Sequence, residues 1–174
     1  PTISFVIVEG TLEGITAEGY TGTYDGEAHG ITVTAPEGAQ VTYREEKEGS
    51  EEQEGSEGTG YAEESPTYTD AGSYTVGYQI TKHGYTTVTG TATVEIGKKP
   101  VGLSWGETEF AYDGAEKTPS ATAIGLVGDD VCSVTVTGGE IEVGTYTATA
   151  AGLSNENYEL PEDPTISFVI VEGT

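Results

Sequence analysis

The chain has 174 residues and a formal net charge of −24, from 30 acidic against 6 basic side chains. That balance excludes nucleic-acid binding, because holding phosphates needs clustered Lys and Arg to displace counterions, and it equally disfavours anionic membranes. Only 34% of the residues are hydrophobic, nothing resembles a run of about 18 apolar residues, and the one cysteine, Cys132, leaves no intrachain disulfide to hold the fold.

Residues 1–11 read PTISFVIVEGT, and residues 164–174 repeat them without a change. Identity at a fixed offset is the signature of a tandem array, so residues 1–163 form one period and the rest begins the next. The chain also shows no signal peptide, as expected of a piece from the middle of a longer protein. Residues 1–9 then read as the terminal strand of a preceding copy. Without that copy, residues 2–8 are a β-prone apolar strand without a partner, expected to pack beside the first module or dock on another molecule.

From residue 10 the pattern is that of strands and turns, rich in Gly, Tyr and Thr and without helical spacing of apolar residues. Module A covers 10–97. It opens on Tyr24-Asp25-Gly26, and strands are expected at 31–35, 40–43, 73–81 and 86–96, separated by turns at Pro36-Glu37-Gly38, Asp70-Ala71-Gly72 and His83-Gly84. Residues 45–64 hold nine Glu and four Gly and no aliphatic side chain longer than Ala. Such a segment buries too little to offset its ordering entropy, so it reads as a solvated hairpin tip or flexible loop inserted in module A. A calcium site is disfavoured there, because a Glu run lacks the tightly spaced Asp and Asn ligands around a Gly turn.

Module B covers 98–171, and residues 172–174 start the next copy. It repeats the signals of module A in the same order. Tyr112-Asp113-Gly114 answers Tyr24-Asp25-Gly26, Val143-Gly144-Thr145-Tyr146-Thr147 answers Ala71-Gly72-Ser73-Tyr74-Thr75, Asn157-Tyr158 answers Gly84-Tyr85, and TISFVI answers TATVEI. Strands are expected at 133–137, 145–150 and 166–171, with turns at Gly128-Asp129 and Gly138-Gly139. Short strands with frequent turns predict an all-β chain of two small tandem antiparallel β-sandwich (Ig-like) modules; β-grasp-like or partly closed barrel modules are the alternative. Each terminal strand runs almost without a linker into the next module, so the joints should be rigid.

Alternation along the terminal strands suggests where contacts form. Aligned on the Tyr-Asp-Gly signals, Ala92, Val94 and Ile96 match Ser4, Val6 and Val8, predicting that face as the core side. The opposite face is Thr91, Thr93 and Glu95 in module A, but Ile166, Phe168 and Ile170 in module B, with Ile3, Phe5 and Ile7 in the first copy. That apolar second face is expected either to lie under a loop or to serve as an intermodule or interchain contact.

Chemistry is sparse. His29 and His83 lie beside glycines in turn-like settings, and Cys132 lies in an alternating apolar stretch, a small packed side chain rather than a nucleophile. None of the common phosphate, zinc, serine-hydrolase or dinucleotide signatures occurs, so no catalytic, cofactor-binding or metal-ligating residue is assigned and the chain reads as a non-enzyme. A Lys–Asn isopeptide crosslink is disfavoured, since Asn155 and Asn157 sit in a turn-like SNENY and Lys98 and Lys99 precede a proline at the module junction. Trp105, Tyr61 and Tyr85 are the candidates for an exposed sugar-stacking surface. Tyr24 and Tyr112 are expected to anchor strand starts, and Tyr74 and Tyr146 to pack in the cores.

The segments YDGEAHGITVTAPEGAQVTY, ESPTYTDAGSYTVGYQITKHGYTTVTGTATVEI and FAYDGAEKTPSATAIGL, with VGTYTATAAGLSNENYELPEDP, resemble the MBG-type (YDG) repeat domains of large bacterial surface proteins. The resemblance covers nearly the whole chain. It implies an extracellular, cell-wall-associated repeat of an adhesin-like protein with no catalytic residues to carry over. On that resemblance the expected function is a structural unit of a long stalk or filament; a ligand-binding adhesin repeat and a fibre subunit joined by strand complementation are the alternatives. The expected partners are neighbouring repeats, other copies in a filament, or a host or cell-surface ligand. The Glu-rich insertion is the main departure from the family pattern.

Overall fold

The computed structural model describes residues 2–46 and 60–174. Every element in them is a strand. Contacts divide the chain into two units, one formed by Pro1–Gly22 and Glu27–Gly97, the other by Thr23–Gly26 and Lys98–Thr174.

Unit 1 contains β1 (Thr16–Glu18), β2 (Tyr20–Thr23), β3 (His29–Gly30), β4 (Thr32–Thr34), β5 (Gln40–Glu46), β6 (Thr67–Tyr68), β7 (Gly72–Thr81) and β8 (Val88–Gly97). β2, β8, β7 and β5 lie in that order in one sheet, while β1 pairs with β4 and β3 with β6. The first strand therefore starts beside β4 and finishes beside β8, changing sheets at Gly19. A strand that changes sheets is how a sandwich turns its corner. Only glycine fits at that point, because a Cβ at Gly19 would collide with the carbonyl oxygen of Thr93. The core is Leu12, Ile31, Val76, Ile80, Val94 and Ile96, all buried.

Unit 2 contains β9 (Lys99–Pro100), β10 (Gly102–Trp105), β11 (Glu109–Ala111), β12 (Ala121–Ile124), β13 (Val134–Thr137), β14 (Gly144–Leu153), β15 (Tyr158–Glu159) and β16 (Thr165–Val171). Its four-stranded sheet runs β11-β16-β14-β13, β10 pairs antiparallel with β12, and β15 pairs parallel with β9. Here too the first strand changes sheets, since β11 joins β16 in parallel. The duplication extends to single pairs. The Gly10–Tyr85 bridge of unit 1 corresponds to Lys99–Tyr158, and the His29–Tyr68 pair to the Lys117–Glu140 bridge. A β-grasp would need a helix laid across its sheet, and the described residues form none; the modules are sandwich-like.

Buried Ala148, Phe168 and Ile170 centre the core of unit 2, and Trp105, Phe110, Val136, Tyr146 and Ile166 pack against them. Phe110 meets Phe168 edge-on at 6.1 Å and Tyr146 lies at 5.7 Å from the same ring, arrangements that add to plain area burial. Trp105 comes from β10 and so joins the smaller sheet to the larger one.

This core corrects the expected faces of the last strand. Ile166, Phe168 and Ile170 face inward, Phe168 and Ile170 at 2% and 0% exposure, while Ser167 and Val171 are exposed. Pairing shows why. Gly72 sits opposite Ile96 in unit 1 and Gly144 opposite Ile170 in unit 2, so Val94 corresponds to Phe168 and Ala92 to Ile166. Anchoring on Tyr-Asp-Gly gave a register one residue off, and a one-residue slip exchanges the faces. The Tyr-Asp-Gly turns follow β2 and β11, neighbours of the last strand in space but far from it in sequence, so loop length rather than pattern sets that offset.

Other expectations need adjustment. β1, β2, β10, β11 and β12 are strands that alternation did not mark, being short and built largely of Gly, Thr, Ala and Glu. Of the acidic insertion at 45–64, residues 47–59 lie outside the described residues. Against the loop expectation, its first residues Glu45 and Glu46 belong to β5 and pair with Val76 and Thr75. Its far end lies beside the same strand, since Ala62 and Tyr43 exchange two backbone hydrogen bonds of 2.7 Å and the Arg44 guanidinium lies over the Tyr61 ring.

Candidate interaction sites

Residues 2–8 and β16 share one sequence and have opposite surroundings. In the first copy Ile3, Phe5 and Ile7 are 87%, 79% and 86% exposed and no strand pairing forms. The expected packing of this segment beside module A is therefore absent from the structure. Hydrogen bonds to unit 1 begin at Glu9, whose carboxylate accepts from the Thr86 hydroxyl, and at Gly10, which exchanges backbone hydrogen bonds with Gly84 and Thr86. Of the six candidate contact residues, Phe168 and Ile170 are occupied by the core of unit 2, Ile166 packs against that core, and Ile3, Phe5 and Ile7 are open to solvent.

The best-built polar cluster of unit 2 was not singled out by sequence. Asp130 Oδ2 accepts from the hydroxyls of Tyr158 at 2.6 Å and Tyr24 at 2.8 Å, and the Val127 amide donates to the Tyr158 hydroxyl at 2.8 Å. Tyr24 and Tyr158 meet edge-on at 5.5 Å and are 6% and 2% exposed. Donation by the Tyr158 hydroxyl, then by Tyr24, holds the Asp130 carboxyl below its usual range. Burial, followed by the bond to Asp130, pushes the Tyr158 phenol up. All of these groups belong to unit 2, including Tyr24, whose turn segment Thr23–Gly26 is counted in it. The expectation that Tyr24 and Tyr112 start strands is corrected: Tyr24 follows the end of β2 and is enclosed, and Tyr112 follows the end of β11. The signal available in the sequence is Asp130 itself, next to the expected turn Gly128-Asp129.

Tyr112, the counterpart of Tyr24, is 41% exposed. Its neighbour Asp113 accepts from Lys117 Nζ at 2.6 Å and from the Ala115 amide, and both bonds lower its carboxyl, the first more. In unit 1, Gly38, Gln40, Thr81, Lys82, His83 and Thr87 line an open pocket of about 360 Å³. Lys82 Nζ donates to the Glu37 carbonyl at 2.9 Å and lies 4.9 Å from the centre of the Tyr85 ring. Tyr85 is 38% exposed.

The aromatic surface is smaller than expected. Trp105 packs on the core of unit 2 and is not an open platform. Tyr74 stacks on Tyr68 at 4.0 Å, and burial with the nearby Glu45 carboxylate pushes the Tyr68 hydroxyl up to about 12. Cys132 is buried. His29 stacks on Tyr20 at 3.7 Å, in unit 1, while His83 is exposed at the pocket. Asn155 serves its turn, donating to the Val131 carbonyl and accepting from the Asn157 amide. No group of three or more His, Cys, Asp or Glu that could hold a metal ion occurs among the described residues. Compared with models of protein families and with curated proteins, the chain matches none.

Proposed function

We propose that this chain is a structural repeat unit of a long extracellular stalk or filament on a bacterial surface, with modules following one another end to end through short, stiff joints. The observation that carries the reading is the exact recurrence of PTISFVIVEGT, whose second copy is β16, a strand at the centre of a core. A segment that closes one module and leads directly into the next is what an array without linkers requires. The strand-for-strand duplication of the two units supports it, because an array extends by adding folding units that each hold a core. The net charge of −24 adds mutual repulsion, which keeps long parallel surface chains apart and in solution. The resemblance to MBG-type repeats carries the surface location.

Small-angle scattering on one-period and two-period chains tests this reading. A rigid array gives a maximum dimension that grows in proportion to the number of periods; a two-period particle hardly longer than one period overturns it.

A further inference from the structure

We infer that the turn Tyr112-Asp113-Gly114 is one half of the joint between periods, and that its receiver is the open pocket beside Tyr85 in unit 1 of the following copy. The inference rests on the tandem reading above and names the residues by which it works.

Tyr24 and Tyr112 occupy equivalent places. Each follows the strand that lies beside the closing strand of its sheet, and each leads into a glycine with left-handed backbone, φ +79° at Gly26 and +80° at Gly114. Tyr24 is enclosed between Asp130, in the loop joining β12 to β13, and Tyr158, in the segment joining β14 to β16. The unit 1 counterparts of those two segments join β4 to β5 and β7 to β8. They contain Gly38 on one side and Lys82, His83 and Tyr85 on the other, and the pocket lies between them. So unit 2 has a filled receiver and an exposed Tyr112, and unit 1 has an open receiver.

Register brings these two together. Tyr158 pairs with Lys99, which follows the core residue Ile96 at the same spacing as Gly10 follows Ile7, and Gly10 pairs with Tyr85. Ile7 and Gly10 are the identical twins of Ile170 and Gly173. The Tyr112 amide donates to the Val171 carbonyl at 2.8 Å, and the backbone at Gly173 passes so close that a Cβ there would lie 2.5 Å from the main-chain carbonyl oxygen of Tyr112. Overlaying one PTISFVIVEGT on the other therefore carries Tyr112 to the place where Gly10 runs past Tyr85.

Charge selects the same pairing. The filled receiver offers Tyr24 the Asp130 carboxylate, whereas the open one carries the Lys82 ammonium, which comes from the segment answering that of Tyr158 and reaches across to the Glu37 carbonyl. The phenol of Tyr112 then accepts a hydrogen bond instead of donating one, and the turn, which keeps one net negative charge from Asp113 and Glu116 after the pairing of Asp113 with Lys117, approaches a cation in a chain with only 6 of them.

The test is nitration of tyrosines by tetranitromethane, read by mass spectrometry. In the 174-residue chain Tyr112 is labelled readily and Tyr24 poorly. Two chains of two periods, sharing one PTISFVIVEGT, are then compared: one carries Tyr112→Phe in the second period, the other in the first. The Tyr112 left in the first period is expected to react roughly fivefold more slowly than the one left in the second, in line with exposures of 6% for Tyr24 and 41% for Tyr112. Lys82→Glu in the second period restores its labelling. Equal rates overturn the joint. Scattering from the same samples separates the two ideas: equal rates in an extended particle reject this joint alone, whereas a compact or freely jointed particle rejects the stalk reading too.

Discussion

The two copies of TISFVIV are one sequence in two environments. In β16 the phenylalanine is 2% exposed and the last isoleucine 0%; in residues 2–8 the same side chains are 79% and 86% exposed. The difference lies in the neighbours. β16 has β11 on one side and β14 on the other, with Tyr146 and Phe110 closing over Phe168, while residues 2–8 meet no strand. β propensity and alternation are properties of the segment, whereas burial comes from partners far away in sequence. Tyr24 and Tyr112 repeat the lesson, with one motif enclosed and the other open.

Equivalent substitutions in paired places sharpen that comparison. The largest difference is expected between Phe168→Ala and Phe5→Ala. The first removes the ring at the centre of unit 2 and should cost about 3–5 kcal/mol; the second should stay within about 0.5 kcal/mol. Urea denaturation followed by fluorescence and circular dichroism measures both, and similar losses would mean that residues 2–8 are packed in solution. Next come the sheet-switch glycines. Gly19→Ala drives a methyl group into the Thr93 carbonyl and should cost about 1–3 kcal/mol, since backbone must move. Gly106→Ala meets only the Ser120 hydroxyl, which can rotate away, and should cost less.

Smaller effects are expected at the tyrosines. Tyr24→Phe removes a donor to Asp130 and should lower the denaturation midpoint of unit 2, while Tyr112→Phe in the single-period chain should leave it in place. This part depends on pH with a definite sign. The Asp130 carboxyl is depressed on folding, so its contribution is present above about pH 4, the ordinary carboxylate range, and fades as pH falls through the depressed value. The gap between the wild type and Asp130→Asn should close there. Tyr158 and Tyr68 are raised, so their contribution is complete below about pH 10 and is lost as pH rises, for Tyr68 through about 12. A stability profile that declines between pH 5 and 9 would contradict these assignments. The smallest effect is salt: screening the charge of −24 should raise the melting temperature by about 2 °C between low and physiological ionic strength.

Much of the fold was legible because it rests on local chemistry. The long strands β7, β8, β14 and β16 announce themselves by β-branched and aromatic residues, and the turns on either side of β7 by Asp70-Ala71-Gly72 and His83-Gly84. The short strands β1, β2, β10, β11 and β12 were not legible, because their Gly, Thr, Ala and Glu become strand only beside a partner. The Asp130 cluster was hidden for a related reason. Its three side chains are far apart in sequence, and only the loop between β12 and β13 brings the carboxylate to both phenols.

The sequence by itself determined the repeat, the all-β character, the two-module division of signals and the acidic surface, since each is written in composition, identity or short-range pattern. Tertiary structure alone decided which face of TISFVIV is the core, that Tyr24 is enclosed while Tyr112 is open, and that Trp105 packs against a core. Those facts depend on register between strands distant in the chain. With a side-chain period of two, a single residue of offset separates a core from a surface.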